Sequence, residues 1–303
     1  MREVDPEAST FGRLKYAVRE LGRHYSDIRW WERQALKLTA GFYYGVVKGN
    51  KGTYVLDESW DNLIILDACR YDVLEEVMGK EIDHRISRGS NTLEWFRENF
   101  VDLKYDDIVY VTANPWISRI AGNLFHKTIS VWQDGWDEKL DTVHPKTTTE
   151  YAKEAARNYA DKRLIVHYLQ PHAPYIVDND LPSPKQMIKQ LEKGALNPAD
   201  VRGIYTKSLE ATMPHVYELA DSLKGRTVIS ADHGELFGKR VLLFNFAGHR
   251  WGIHIPELVK VPWVVYKGDA KEVAGETAER RRLKQHIQGL KDRGQLAGIY
   301  KGV

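Results

Sequence analysis

The chain has almost no cysteine. One thiol, Cys69, stands among 303 residues, which excludes an intramolecular disulfide framework and cysteine-built zinc knuckles. Absent too is any apolar run near the roughly 18–20 residues that a bilayer-spanning helix needs. The most apolar stretch at the start, LKLTAGFYYGVV over Leu36–Val47, falls well short. A dominant sign of charge is also missing: 44 basic residues face 42 acidic ones, for a net charge of +2. Wholesale nucleic-acid binding is therefore not expected. The opening residues MREVDPEASTFGRLK include acidic side chains and lack the apolar core of a secretory leader. With the lone thiol, this leads to the expectation of a cytoplasmic protein.

What is present suits an α/β domain. The composition, 43% hydrophobic and 28% charged, is that of a chain able to bury a substantial core. From Trp60 onward, short apolar runs alternate with stretches of helical spacing. The pattern predicts strands at Leu63–Leu66, Ile108–Thr112, Thr128–Trp132, Leu164–Leu169, Thr227–Ser230 and Val261–Val265. Helices are expected at Val73–Met78, Thr92–Phe100, Thr149–Tyr159 and Tyr205–Leu223. The strands are continuous runs of Val, Ile and Leu, which argues for burial on both faces. The expected fold is α/β, a doubly wound, mainly parallel sheet with helices on both faces.

Three segments are expected: a helical N-terminal appendage over 1–52, a catalytic domain over 53–270, and a charged C-terminal helix and tail over 271–303. Phe11, Leu14, Val18 and Leu21 recur at helical spacing in the first of these. That helix, with Trp30, Trp31 and Leu36–Val47, either packs on the main domain or makes a peripheral membrane contact. Asp178–Pro198, polar and proline-containing, reads as an insertion or lid beside the site.

Two strand ends carry the chemistry. VISADHGE, Val228–Glu235, runs an apolar strand into Asp232 and His233, and NLIILDACRYD, Asn62–Asp72, does the same with Asp67. In open α/β sheets ligands gather at the carboxyl ends of strands. The residues predicted there are Asp67, Thr112–Asn114, Gln170–His172 and Asp232–His233. A mixture of Asp oxygen and His nitrogen suits zinc or manganese better than calcium. The loop SRGSNTLEWF, Ser87–Phe96, places Ser90 or Thr92 as the cap of a following helix, where an anion would also be held. A metal there would lower the hydroxyl's pKa and make it a nucleophile. Arg70 is placed either to clamp an anionic substrate or to neutralise Asp67 or Asp72, and Asn114 to contact substrate. His167, mid-strand, and His254 are expected to be packing residues, and Cys69 a small buried apolar one.

LDACRYD, the Ser/Thr loop, HYLQPHAPY at His167–Tyr175, ADHGE, and GHRWGIHIPELVKVPWVV at Gly248–Val265 follow one another in that order. The set resembles the alkaline phosphatase superfamily, specifically its sulfatase-like branch in a compact archaeal-type form, over roughly Trp60–Tyr266. The resemblance implies that Asp67, Asp232 and His233 bind one metal ion, that Thr92, with Ser90 second, is the nucleophile, and that one or two ions of manganese, zinc or magnesium are used. It implies that His172 contacts the ester or its leaving group, and that His249 binds a second metal or donates a proton. Lys260 falls near a later basic position of the family. Formylglycine is not expected, because Cys69 lies in another motif and SNTLE has neither the Pro nor the Arg of the sulfatase signature. The function expected is a metal-dependent hydrolase or transferase acting on a phosphate- or sulfate-type ester of a small molecule, glycan or lipid head group. Two alternatives stand beside it: a non-catalytic binding protein of the same fold, and a membrane-surface transferase for head groups or glycans.

Overall fold

The computed structural model describes residues 51–100, 104–177, 180–241 and 244–268, with Gly22, Arg23, Tyr25, Ser26 and Trp31 nearer the start. The expected N-terminal helix and charged C-terminal tail lie outside the described residues. By proximity the chain divides into residues 1–47 with 275–303 and a second unit, Lys48–Ala274, to which everything below belongs.

Seven strands form the central sheet: β1 (Asn62–Asp67), β2 (Asp83–Ile86), β3 (Tyr105–Thr112), β4 (Phe125–Ser130), β5 (Arg163–Pro171), β6 (Thr227–Ala231) and β7 (Lys260–Lys267). Their order is β2-β7-β6-β1-β5-β3-β4. β6, β1, β5, β3 and β4 are parallel, while β7 runs antiparallel to both β6 and β2. Alternation along each strand sorts the core into two layers, because successive side chains point to opposite faces. Ile64 and Leu66 of β1 join Val109, Val111, Val166, Tyr168 and Ile229 on one side. There they meet α1 (Tyr71–Met78), α4 (Pro145–Asn158), α5 (Pro184–Lys193) and α6 (Pro198–Ser222). Leu63 and Ile65 face the other way, with Ile108, Tyr110, Ile165 and Val228. Trp95 and Phe96 of α2 (Thr92–Asn99) and Ile117 and Ala121 of α3 (Pro115–Ala121) cover them. Burial on both faces is why the strands read as unbroken apolar runs.

Departures from expectation cluster at the sheet edges. β4 spans Phe125–Ser130, and Trp132, expected to end it, opens a helical turn through Gly135. β2, with sequence DHRI, was not foreseen; it is largely exposed, so no apolar run announces it. The segment expected as a lid contains α5, which begins at Pro184 and ends against Gly194 at φ +69°. Its Met187 and Leu191 are buried.

Two turns aim the strand ends. After β1 the register against β5 slips between Leu66 and Asp67, and Ala68 adopts φ +59°, a left-handed conformation unusual for a residue with a Cβ. The Tyr205 hydroxyl of α6 spans that turn, donating to the Ala68 carbonyl at 2.8 Å and accepting from the Arg70 amide at 2.8 Å. After β6, Gly234 lies so close to the Glu257 carbonyl that a Cβ would sit 2.0 Å from its oxygen. Only glycine fits there.

Candidate active site

The carboxyl ends of β1 and β6 are neighbours, so Asp67 and Asp232 come together in a dry interior: Asp67 is 2% exposed, Asp232 and His233 0%. Asp232 Oδ1 accepts from the amides of Ala68 (3.0 Å) and His233 (2.9 Å). Its Oδ2 has no hydrogen-bond partner, and neither does Nε2 of His167, 3.6 Å away. His233 Nδ1 meets the Gly234 carbonyl at 2.8 Å. Donation from Nδ1 leaves the Nε2 lone pair facing Asp232 Oδ2 (3.4 Å), Asp67 Oδ1 (3.6 Å) and Thr92 Oγ1 (3.2 Å). Thr92 Oγ1 is also 3.4 Å from Asp67 Oδ1.

A buried carboxylate oxygen without a donor is costly unless something positive meets it. Burial first, then the charge of Asp232, push the Asp67 carboxyl well above its ordinary range. Burial, followed by the His249 charge, holds His233 well below its ordinary value, so its ring is neutral and able to ligate. An orphaned oxygen, a second carboxylate and a neutral imidazole fit one divalent cation. Asp67, His167 and Asp232 each place a ligand atom within 4.8 Å of the others'.

His167 was expected to serve only packing. It does lie against Trp95 and Tyr110, and Tyr110 Oη is 2.9 Å from its Nδ1. Its other nitrogen nevertheless faces Asp232. Burial lowers its pKa to about 4, so it too is neutral.

A second cluster adjoins the first. The His249 ring lies tilted against those of His233 and His172, with centroids 4.4 and 5.1 Å apart. Its Nδ1 meets Glu235 Oε2 at 3.2 Å. Ligand atoms of His172, Glu235 and His249 also lie within 4.8 Å of one another. Burial works to lower the His249 pKa, but Glu235, Asp67 and Asp232 outweigh it and raise it to about 9. Burial and the His249 charge push His172 down. One histidine is thus charged and its neighbour neutral. Glu235, the last residue of ADHGE, was not singled out from the sequence; its place immediately after the metal-capable pair was the available signal.

The remaining candidates have other partners. Ser90 and Thr92, two residues apart, point to different places. The cap of α2 is Asn91, whose side chain accepts from the Glu94 amide, and Thr92 is the first helical residue. Ser90 Oγ lies 2.6 Å from Glu94 Oε2 and 2.7 Å from the Arg250 carbonyl, away from the carboxylates. Asn114 caps α3 and donates from Nδ2 to Asp67 Oδ2 at 2.8 Å, so it braces that carboxylate. Arg70 is bidentate with Asp72 at 2.7 and 2.8 Å and reaches the Glu235 carbonyl. The pairing with Asp72 is one of the two arrangements expected for Arg70. The Lys260 ammonium lies over the Tyr71 ring, 3.7 Å from its centroid.

No family model and no curated protein matches the chain. Solved structures do. The soluble domain of lipooligosaccharide phosphoethanolamine transferase A from Neisseria meningitidis superposes with a TM-score of 0.50 at 14% identity, over 74% of this chain and 80% of that one. The C-terminal periplasmic domain of EptC from Escherichia coli, in complex with Zn, gives 0.43 at 13%, over 71% and 74%. An alkaline phosphatase superfamily protein from Vibrio parahaemolyticus gives 0.43 at 11%, over 71% and 62%. The fold is shared with the Neisseria transferase domain, and its mainly parallel sheet with helices on both faces is the α/β arrangement expected from the sequence. The cytoplasmic expectation does not stand: the fold is shared with the soluble domain of a lipooligosaccharide phosphoethanolamine transferase. A lack of disulfides is compatible with either side of a membrane. Among the described residues no helix is long and apolar enough to cross one.

Proposed function

We propose that the protein is a metal-dependent phosphoester transferase or hydrolase in which Thr92 is the nucleophile. The observation that carries this reading is the position of Thr92 Oγ1, 3.2 Å from the neutral His233 nitrogen and 3.4 Å from Asp67, beside an Asp232 oxygen with no partner. Asp67, Asp232 and His233 are the residues that would hold a divalent ion, with Thr92 alongside. Such an ion supplies Lewis acidity, lowering the hydroxyl's pKa and offsetting negative charge on the ester oxygens.

The chain's own groups do the rest. The Thr92 hydroxyl, its pKa lowered, loses its proton to solvent; its oxygen bonds to phosphorus as the bond to the leaving alcohol breaks, giving a phosphothreonine, and regains a proton from solvent when the group is displaced. Thr92 opens α2, so the amides of that helix's first turn face the added charge. Protonated His249 gives its proton to the leaving oxygen. Neutral His172 takes a proton from the acceptor, water or a second alcohol, which displaces the group from Thr92. A single ion is favoured because Glu235 and His249 already satisfy one another as an ion pair, whereas Asp232 Oδ2 is unsatisfied. A phosphate or lipid head-group ester is favoured over sulfate, since the loop lacks the residues for formylglycine and the soluble domain of a phosphoethanolamine transferase shares the fold.

The test is a metal-resolved screen. Protein stripped and reloaded with Mn²⁺, Zn²⁺ or Mg²⁺ is assayed on nitrophenyl phosphate, bis-nitrophenyl phosphate and nitrophenyl sulfate, with Thr92→Ala and Ser90→Ala alongside. Metal-dependent phosphoester turnover that vanishes in Thr92→Ala and survives in Ser90→Ala is expected. Full turnover in Thr92→Ala would remove the assigned nucleophile, and bound metal near two equivalents would move His172, Glu235 and His249 into a second ion site.

A further inference from the structure

Glu94 is a buried carboxylate that the chemistry above does not use. Its side chain is 7% exposed, and it sits two residues after Thr92 in the first turn of α2. Oε2 accepts from the Ser90 amide (2.8 Å), lies 2.6 Å from the Ser90 hydroxyl and accepts from the Gly252 amide (3.2 Å). Oε1 lies 3.1 Å from His254 Nε2. Ser90 Oγ extends the contact, 2.7 Å from the Arg250 carbonyl and accepting from the Ile253 amide at 3.2 Å. Every one of these partners beyond Ser90 belongs to the stretch Gly248–Ile255, which has no helix or strand of its own and carries His249.

We infer that Glu94, through Ser90 and His254, is a positioning residue that holds the His249 loop in register with Thr92; the inference rests on the phosphoester reading. An irregular loop has no ladder of its own to fix its backbone, so its geometry depends on the groups that satisfy its amides and carbonyls. Here those groups come from the same helical turn as the nucleophile. The same loop is also fastened by the ion pairs of Arg250 with Glu192 of α5 and of His249 with Glu235, and by the Gly248 amide, which donates to the Leu236 carbonyl at 2.9 Å. Nucleophile and proton donor are thus set on one bracket. A shift of about 1 Å between such groups costs on the order of 100-fold in rate.

The test compares wild type with Glu94→Gln and Ser90→Ala, the second being the milder change should the first fail to fold. Metal content, kcat and KM on bis-nitrophenyl phosphate, and amide hydrogen exchange at Gly252 and Ile253 are measured. The expected result in Glu94→Gln is unchanged metal content, a kcat lower by about 10- to 100-fold with KM nearly constant, and faster exchange at both amides. Ser90→Ala moves the same way by less. Unchanged kcat or unchanged exchange in Glu94→Gln overturns the inference. So does abolition of turnover in Ser90→Ala with Thr92→Ala active, which would make Ser90 the nucleophile. A wild type inactive on every ester refutes the phosphoester reading alone, and the exchange comparison then decides whether the bracket exists.

Discussion

Tyr205→Phe isolates one hydroxyl in the support of Asp67. The ring is fully buried and wedged edge-on against Phe237 at 4.9 Å and Tyr175 at 6.3 Å, so phenylalanine keeps the packing. Only the oxygen leaves, and with it both hydrogen bonds across the Ala68 turn. Each bond contributes about 1 kcal/mol net, and leaving a buried carbonyl or amide unmet adds about 1–3 kcal/mol. The Ala68 turn is itself unfavourable by about 1–2 kcal/mol, so nothing local replaces the lost clasp. The expected loss is about 2–4 kcal/mol. At a urea m-value near 2–3 kcal/mol/M, the unfolding midpoint falls by roughly 1 M with m unchanged. Because the turn aims Asp67, metal affinity should weaken about tenfold as well. A midpoint change equivalent to less than about 0.5 kcal/mol, the range of ordinary surface substitutions, would refute the claim that Tyr205 holds the turn.

Two other predictions concern charge. With Mn²⁺ or Zn²⁺ at about 100 times its Kd, the wild type gains about 2.7 kcal/mol of stability. Asp232→Asn should lose that gain, yet be no less stable than the metal-free wild type, because it removes the repulsion that raises Asp67; thermal melts with and without metal check both halves, and equal metal-induced shifts in the two proteins would refute the site. Glu94 gives a pH signature: burial works to raise its pKa, but His254 and Ser90 outweigh that and hold it below 4.5. A depressed carboxyl contributes stability above its unfolded value and loses it as pH falls through the folded one. Urea midpoints followed from neutral pH to below 4.5 should therefore drop more steeply in wild type than in Glu94→Gln, and parallel curves would contradict the assignment.

The core strands and the two aspartates at their ends were legible because the signals are local. An apolar run names a buried strand, and the polar residue that follows it has only the carboxyl edge of the sheet to occupy. β2 was not legible, since DHRI is exposed and becomes a strand only by pairing with β7. The second direction of His167, toward Asp232, was not legible for a related reason. Its neighbours in sequence are core residues, but its own direction depends on how β5 registers against β1 and β3.

Sequence alone determined the fold class and put Asp67, Asp232 and His233 at the carboxyl ends of their strands, all readable within a few residues of chain. Tertiary structure set Thr92 beside Asp67 and His233 and Ser90 beside Glu94, turned Asn114 into a brace and Arg70 into a partner of Asp72, and joined Glu94 to the His249 loop. The physical reason is range. Strand propensity and turn chemistry act over neighbours, whereas the direction of a side chain at a helix start depends on which distant backbone group claims it. Glu94 lies 158 residues from Gly252 in sequence and 3.2 Å from its amide in space.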